Sequence, residues 1–149
     1  MINDMDAFGD WRPAGFDGVF EWDFLLPAFG GTKISPMDFD CVVERRRRFL
    51  IFETKHPGKK LPMGQAITLR TALQEMRGRC TLILIAAKVP DMITCFDVCW
   101  VSSGEIRERE VRGDKDDLVC FVSCWFSAAS AGTDFNPLSV LRERDTNGD

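Results

Sequence analysis

The sequence predicts an α/β fold, a mixed sheet flanked by helices, and three features carry that reading. Two β-forming runs, 38–43 and 49–55, are separated by four arginines, which reads as a hairpin. The second run is followed by a helical pattern and then by a further apolar run at 81–87, and strand, helix, strand implies a parallel crossover. A second hairpin, 93–101 with 105–112, then leads into a helical stripe.

Taken in order, Phe16, Val19 and Phe20 recur at helical spacing ahead of Pro27 and the Gly30-Gly31 pair, predicting a first helix that ends in a loop. Asp38-Phe39-Asp40-Cys41-Val42-Val43 is strand-like, and Phe49-Leu50-Ile51-Phe52 is too apolar for an exposed ribbon, so the second strand of the hairpin is central. Two prolines and a glycine in 56–62 force a turn and leave a basic loop. Gln65, Leu69, Ala72, Leu73 and Met76 share one helical face, with a stop near Gly78. Thr81 to Ala87 is aliphatic and β-branched throughout, the pattern of a strand buried on both sides. The charged alternation of 105–112 suits an edge strand. Leu118, Phe121, Val122, Trp125, Phe126 and Ala129 trace a last helix introduced by the acidic segment 114–117. Residues 132–149 read as an irregular, polar tail.

A length of 149 residues predicts one domain, 1–149, with its core at about 15–130. With 45% hydrophobic and 28% charged residues the chain is globular in composition, and no apolar stretch approaches the ~20 residues of a membrane span. The acidic first residues lack a secretory pattern, which predicts a cytoplasmic protein with its six cysteines reduced and mostly buried. A net charge of −4 argues against coating nucleic acid by bulk charge. The charge is unevenly distributed: residues 38–80 hold ten Lys/Arg against five Asp/Glu, and the remainder holds nine against eighteen.

The acids and lysine of the first hairpin carry the chemistry. Side chains two apart on a strand share a face, so Glu53 goes with Lys55, and Asp38 with Asp40. Antiparallel pairing sets Asp40 beside Glu53 at one end of the sheet, with Lys55 next to them. Crowded carboxylates are tolerable around a divalent cation, and hard oxygen donors suit Mg²⁺ or Mn²⁺. Such a site, with a lysine for the attacking water and the phosphate, fits phosphodiester hydrolysis. His56, Lys59 and Lys60 place positive charge where phosphates would lie, and Gln65 opens the following helix on its sheet-facing stripe.

Met37-Asp38-Phe39-Asp40, the hairpin, Phe52-Glu53-Thr54-Lys55 and Gly64-Gln65 at the head of a helix resemble the PD-(D/E)XK nuclease superfamily, in particular its small stand-alone phage and prophage members. The resemblance spans about residues 15–90. It implies a restriction-endonuclease-like α-β-β-β-α-β core extended by a C-terminal hairpin and helix. It further implies Asp40 and Glu53 as metal ligands, the Thr54 carbonyl as a third, Lys55 as the catalytic lysine and Gln65 in support. Asp38 competes with Asp40 for one position, and the hairpin spacing favours Asp40. Glu21 is a further acid of the kind some relatives carry on the first helix.

The expected activity is therefore metal-dependent hydrolysis of DNA by metal-activated water. The alternative is a non-catalytic binding module on the same fold, for example one that a phage directs at a host protein. A symmetric dimer is the simplest device for cutting both strands. Arg45, Arg46 and Arg47 lie at the hairpin turn, ~17 Å along the strand from Asp40, and contact only flanking backbone or solvent. One histidine excludes a histidine triad or a multi-histidine zinc centre. Cys95/Cys99 and Cys120/Cys124 read as ordinary thiols, the second pair lying opposite the apolar stripe of its helix, where a further layer or a subunit interface would cover it.

Overall fold

The computed structural model describes residues 21–145, with side chains through Leu141. The chain divides after Pro36 into two compact units, where one domain is expected from length. The described part of the first unit is a 3₁₀ helix, Asp23–Phe29, that contains Pro27 and ends at Gly30 in left-handed backbone (φ 64°). Phe16, Val19 and Phe20 lie outside the described residues.

The second unit is a five-stranded mixed sheet in the order β1-β2-β3-β4-β5: β1 (Cys41–Arg45), β2 (Arg48–Thr54), β3 (Cys80–Ile85), β4 (Cys95–Ser102) and β5 (Glu105–Arg112). Only β2 and β3 are parallel, and α1 (Met63–Glu75) makes the crossover between them. The remaining pairs are antiparallel. Among the described residues two strands precede α1, where the α-β-β-β-α-β order calls for three.

Continuous apolar runs dictate the centre. Leu50 and Ile51 of β2 and residues 80–84 of β3 are buried on both sheet faces, which only central strands achieve. One face packs Ile51, Leu82, Leu84 and Cys99 against Leu69 and Leu73 of α1. The other packs Leu50, Ile83, Phe96, Val98 and Trp100 against Leu118, Phe121 and Trp125 of α2 (Lys115–Ser130). Phe121 sits edge-on to Phe96 and Phe135, with ring centroids 5.9 and 5.3 Å apart.

A capping box starts α2. The Asp114 carboxylate accepts from the backbone N–H groups of Asp116 and Asp117, and Asp117 accepts from the Asp114 N–H in return. Those bonds, Asp117 first, hold the Asp114 carboxyl below its ordinary value of 3.8. Gly113 joins β5 to this cap. A Cβ there would meet the Asp117 side chain at 2.7 Å, so the joint has no room for one.

The tail departs from expectation. Pro137–Asp145 forms α3 and buries Leu141 beside Phe135, Leu138 and Val140, because a short apolar spacing inside a polar segment finds an open edge of the core. Residues 146–149 lie outside the described residues. The cysteines are all free, but only Cys80 and Cys99 are buried; Cys41, Cys120 and Cys124 are exposed and Cys95 is half-buried. The thiol face of α2 therefore looks outward, with Val119 and Phe126 exposed beside it. No helix among the described residues is long and apolar enough to cross a membrane.

Arg46 and Arg47 close the first hairpin as a two-residue turn with φ 49° and 63°, the left-handed pair of a type I′ turn, where Asn-Gly is favoured. Arginine there costs ~1 kcal/mol per residue, of which asparagine still bears part, and glycine's larger entropy loss on folding offsets part. Replacing the pair by Arg46→Asn and Arg47→Gly is expected to raise stability by ~1 kcal/mol, read as a ~2–4 °C rise in Tm by calorimetry. An unchanged or lower Tm would show that the turn is unstrained.

Candidate active site

The carboxyl ends of the two parallel strands meet at one edge, the position where open α/β sheets bind ligands. Cys41 pairs with Phe52, so continuing that register sets Asp40 beside Glu53 on the face that α1 covers. One Asp40 oxygen, Oδ2, accepts from the Thr54 N–H (2.7 Å) and the Thr54 hydroxyl (2.6 Å), which fixes the carboxylate at the strand end.

Glu53 is 3% exposed, and its Oε2 is buried without a hydrogen-bond partner. Burial pushes its carboxyl above the ordinary value of 4.5. The charge of Asp40 raises it further, a backbone hydrogen bond from Asp40 pulls the other way, and the charge of Asp38 adds to the rise. A buried carboxylate oxygen with no donor, on which the charges of Asp40 and Asp38 act, is a group that a cation would complete.

Lys55 follows β2 and is tied to β3 through its N–H, which donates to the Ile85 carbonyl at 2.9 Å. Its ammonium does not neutralise Glu53. It pairs with Asp97 of β4 (Nζ to Oδ2, 3.5 Å), reaching across β3, and both side chains are largely shielded, at 24% and 20% exposure. The expected trio of Asp40, Glu53 and Lys55 is thus two coupled pairs, carboxylate with carboxylate and lysine with aspartate. Lys55, Lys59, Lys60, Asp97 and Glu110 line a cleft of about 350 Å³ floored by Leu84 and Ala86.

The other expected residues are placed as follows. Asp38 is exposed and close enough for its charge to act on Glu53. Gln65 is half-buried, the third residue of α1, on the helix that packs over the Glu53 face. His56 is exposed in the loop, and its carbonyl accepts from the Lys59 N–H in a turn at Gly58. Glu21 is exposed and belongs to the other compact unit. Arg45 is held away from the site, its Nε donating to Ser130 Oγ and its guanidinium lying over the Phe126 ring.

Asp97 and Glu110 escaped the sequence reading. The one signal for Asp97 was a lone carboxylate inside the apolar run 95–101, but its partner is fixed by strand order. The buried thiols contribute nothing reactive: burial pushes both Cys80 and Cys99 up to about 12. Cys95 and Cys99 sit four residues apart on one strand, ~13 Å, too far to share a metal.

Among the described residues no three or more His, Cys, Asp or Glu side chains are grouped to hold a metal ion. A cation here would rest on the Asp40 and Glu53 carboxylates and on oxygens that are not side chains, such as the Thr54 carbonyl. The orphaned Glu53 oxygen and the crowded carboxylates fit a hard divalent cation. Comparison with protein-family models, curated proteins and solved structures returns no match, so the functional reading rests on these residues.

The raised Glu53 carboxyl has a stability consequence of definite sign. The fold favours the protonated form, so stability is lost as pH rises from about 4.5 through the raised folded value. Glu53→Gln is expected to match the wild type in Tm near pH 4 and to exceed it at pH 7, as calorimetry at the two pH values would show. Mn²⁺ at 100 times its Kd should raise the wild-type Tm by the equivalent of ~2.7 kcal/mol and leave the variant unmoved. Equal responses of the two proteins would remove Glu53 from any metal site.

Proposed function

We propose that the chain is a divalent-metal-dependent nuclease that hydrolyses phosphodiester bonds of DNA, and that its core is a restriction-endonuclease-like variant of the α/β fold. The observation that carries this reading is the buried, unpartnered Glu53 oxygen beside Asp40, two residues before Lys55, which lines a cleft with Lys59 and Lys60. Asp40, Glu53 and the Thr54 carbonyl would hold Mg²⁺ or Mn²⁺. When bound, such an ion lowers the pKa of water and offsets charge on the phosphoryl oxygens.

The chain's own residues do the rest. Thr54 orients Asp40 through two short hydrogen bonds, and burial holds Glu53 in one position. Asp97 holds the Lys55 ammonium over the cleft, where it meets a phosphate oxygen and stabilises the charge that develops there. Lys59 and Lys60 bind the flanking backbone, His56 stands beside them, and Gln65 supplies a hydrogen-bonding amide from α1.

A protein-binding module is the second reading, favoured by an apolar groove of about 860 Å³ on the opposite sheet face. Val43, Phe52, Ile85, Val122 and Phe126 line it. Labelled single-stranded, duplex and branched DNA, with RNA in parallel, separates the two when incubated with Mg²⁺, Mn²⁺ or EDTA. We expect cleavage that EDTA abolishes and that Glu53→Gln or Lys55→Ala reduces at least ~10²-fold with Tm retained. Folded protein that cleaves nothing would sink the nuclease reading and leave the binding module.

A further inference from the structure

The far end of the same sheet face carries a second cleft, of about 500 Å³, walled by Arg47, Arg77 and Arg79 with Glu75 and Asp134. Its floor is Phe49 and Met76. Two of its arginines stand on left-handed backbone, Arg47 at φ 63° in the hairpin turn and Arg77 at φ 47° just past α1. Glycine or asparagine is the favoured residue at both kinds of position. Two arginines around one cleft thus stand against backbone preference.

The remaining arginines of the run show what a structural role looks like here. Arg48 donates to Asp134, to the Gly132 carbonyl and to the Arg46 carbonyl, and Arg45 is held by Ser130 and Phe126. That engagement also neutralises Asp134, the second acid of the cleft. Of the two acids that line the cleft with Arg47, Arg77 and Arg79, Asp134 is paired with Arg48 and Glu75 is not, while the Glu44 carboxylate, outside the lining, accepts from the Arg47 N–H at 2.6 Å. Three planar, permanently charged forks on a concave surface match phosphate oxygens.

We infer that this cleft is a second phosphate-binding site and holds the backbone of the same nucleic acid strand that enters the candidate active site. The inference rests on the nucleic-acid reading and extends it to substrate length. Five residues of β2 separate Arg48 from Glu53, ~17 Å. At ~3.4 Å per nucleotide along one strand, about five nucleotides bridge the two sites. Substrates that reach both sites gain contacts that shorter ones lack.

Fluorescein-labelled duplexes lengthened one base pair at a time, titrated in EDTA at 50 mM salt, test this without turnover. Affinity is expected to rise about tenfold once the duplex extends about five base pairs past the minimal bound length. In the double variant Arg47→Gly with Arg77→Asn the rise should vanish, and the slope of log K against log salt should become shallower by about two. Both substitutions suit left-handed backbone, so an unchanged or higher Tm certifies folding.

The inference is overturned if affinity climbs smoothly with length, if the double variant keeps the step, or if polyglutamate of equal charge displaces the long duplex as well as unlabelled duplex does. Absence of any duplex binding overturns it as well. Cleavage in Mg²⁺, scored separately, distinguishes the two readings. A length step without cleavage leaves the second site standing and removes the nuclease, whereas cleavage without a step does the reverse.

Discussion

The parallel pairing of β2 with β3 is the constraint on which the rest depends. Because the two strands run the same way, the chain must cross the full length of the sheet between them, and α1 exists to make that crossing. The same pairing delivers Glu53, Lys55 and Ala86 to one edge of the sheet and Arg48, Arg79 and Cys80 to the other. The two clefts are therefore the two ends of one structural unit, with the buried rows Ile51, Leu82 and Leu84 under Leu69 and Leu73 fixing the distance between them.

Both ends carry local conflict, of different kinds. At one end an acid is buried without a partner; at the other, arginines occupy backbone that favours glycine. Neither improves the fold on its own terms. The apolar middles of the central strands and the capped α2 have no such conflict, and the burial there offsets the cost at the ends.

Much of this was legible in the sequence because it depends on local pattern. The two central strands, the arginine turn, the Leu69/Leu73 face of α1, the edge hairpin and the stripe of α2 all follow from periodicity and turn chemistry. The approach of Asp40 to Glu53 followed from hairpin register alone. The partner of Lys55 did not, since Asp97 lies two strands away and is brought near only by a sheet order that no local pattern specifies. Helix α3 was missed for a related reason: Phe135, Leu138 and Leu141 are too few to announce a helix, and they are ordered by the core they complete. No described element covers the outward face of α2, so of the two expected covers, a further layer or a subunit interface, the described residues do not supply the layer.

The joint at Gly113 has a consequence for how the molecule opens. Its N–H is bound to the Thr94 carbonyl, next to the first residue of β4, and its missing side chain makes room for Asp117, whose carboxylate accepts the Asp114 N–H and completes the capping box of α2. Edge strand, cap and helix therefore share one residue with no slack. Loosening β5 disturbs the α2 cap, and fraying the first turn of α2 frees the end of β5, so amide hydrogen exchange in β5 and at the start of α2 proceeds through one common opening rather than two independent ones.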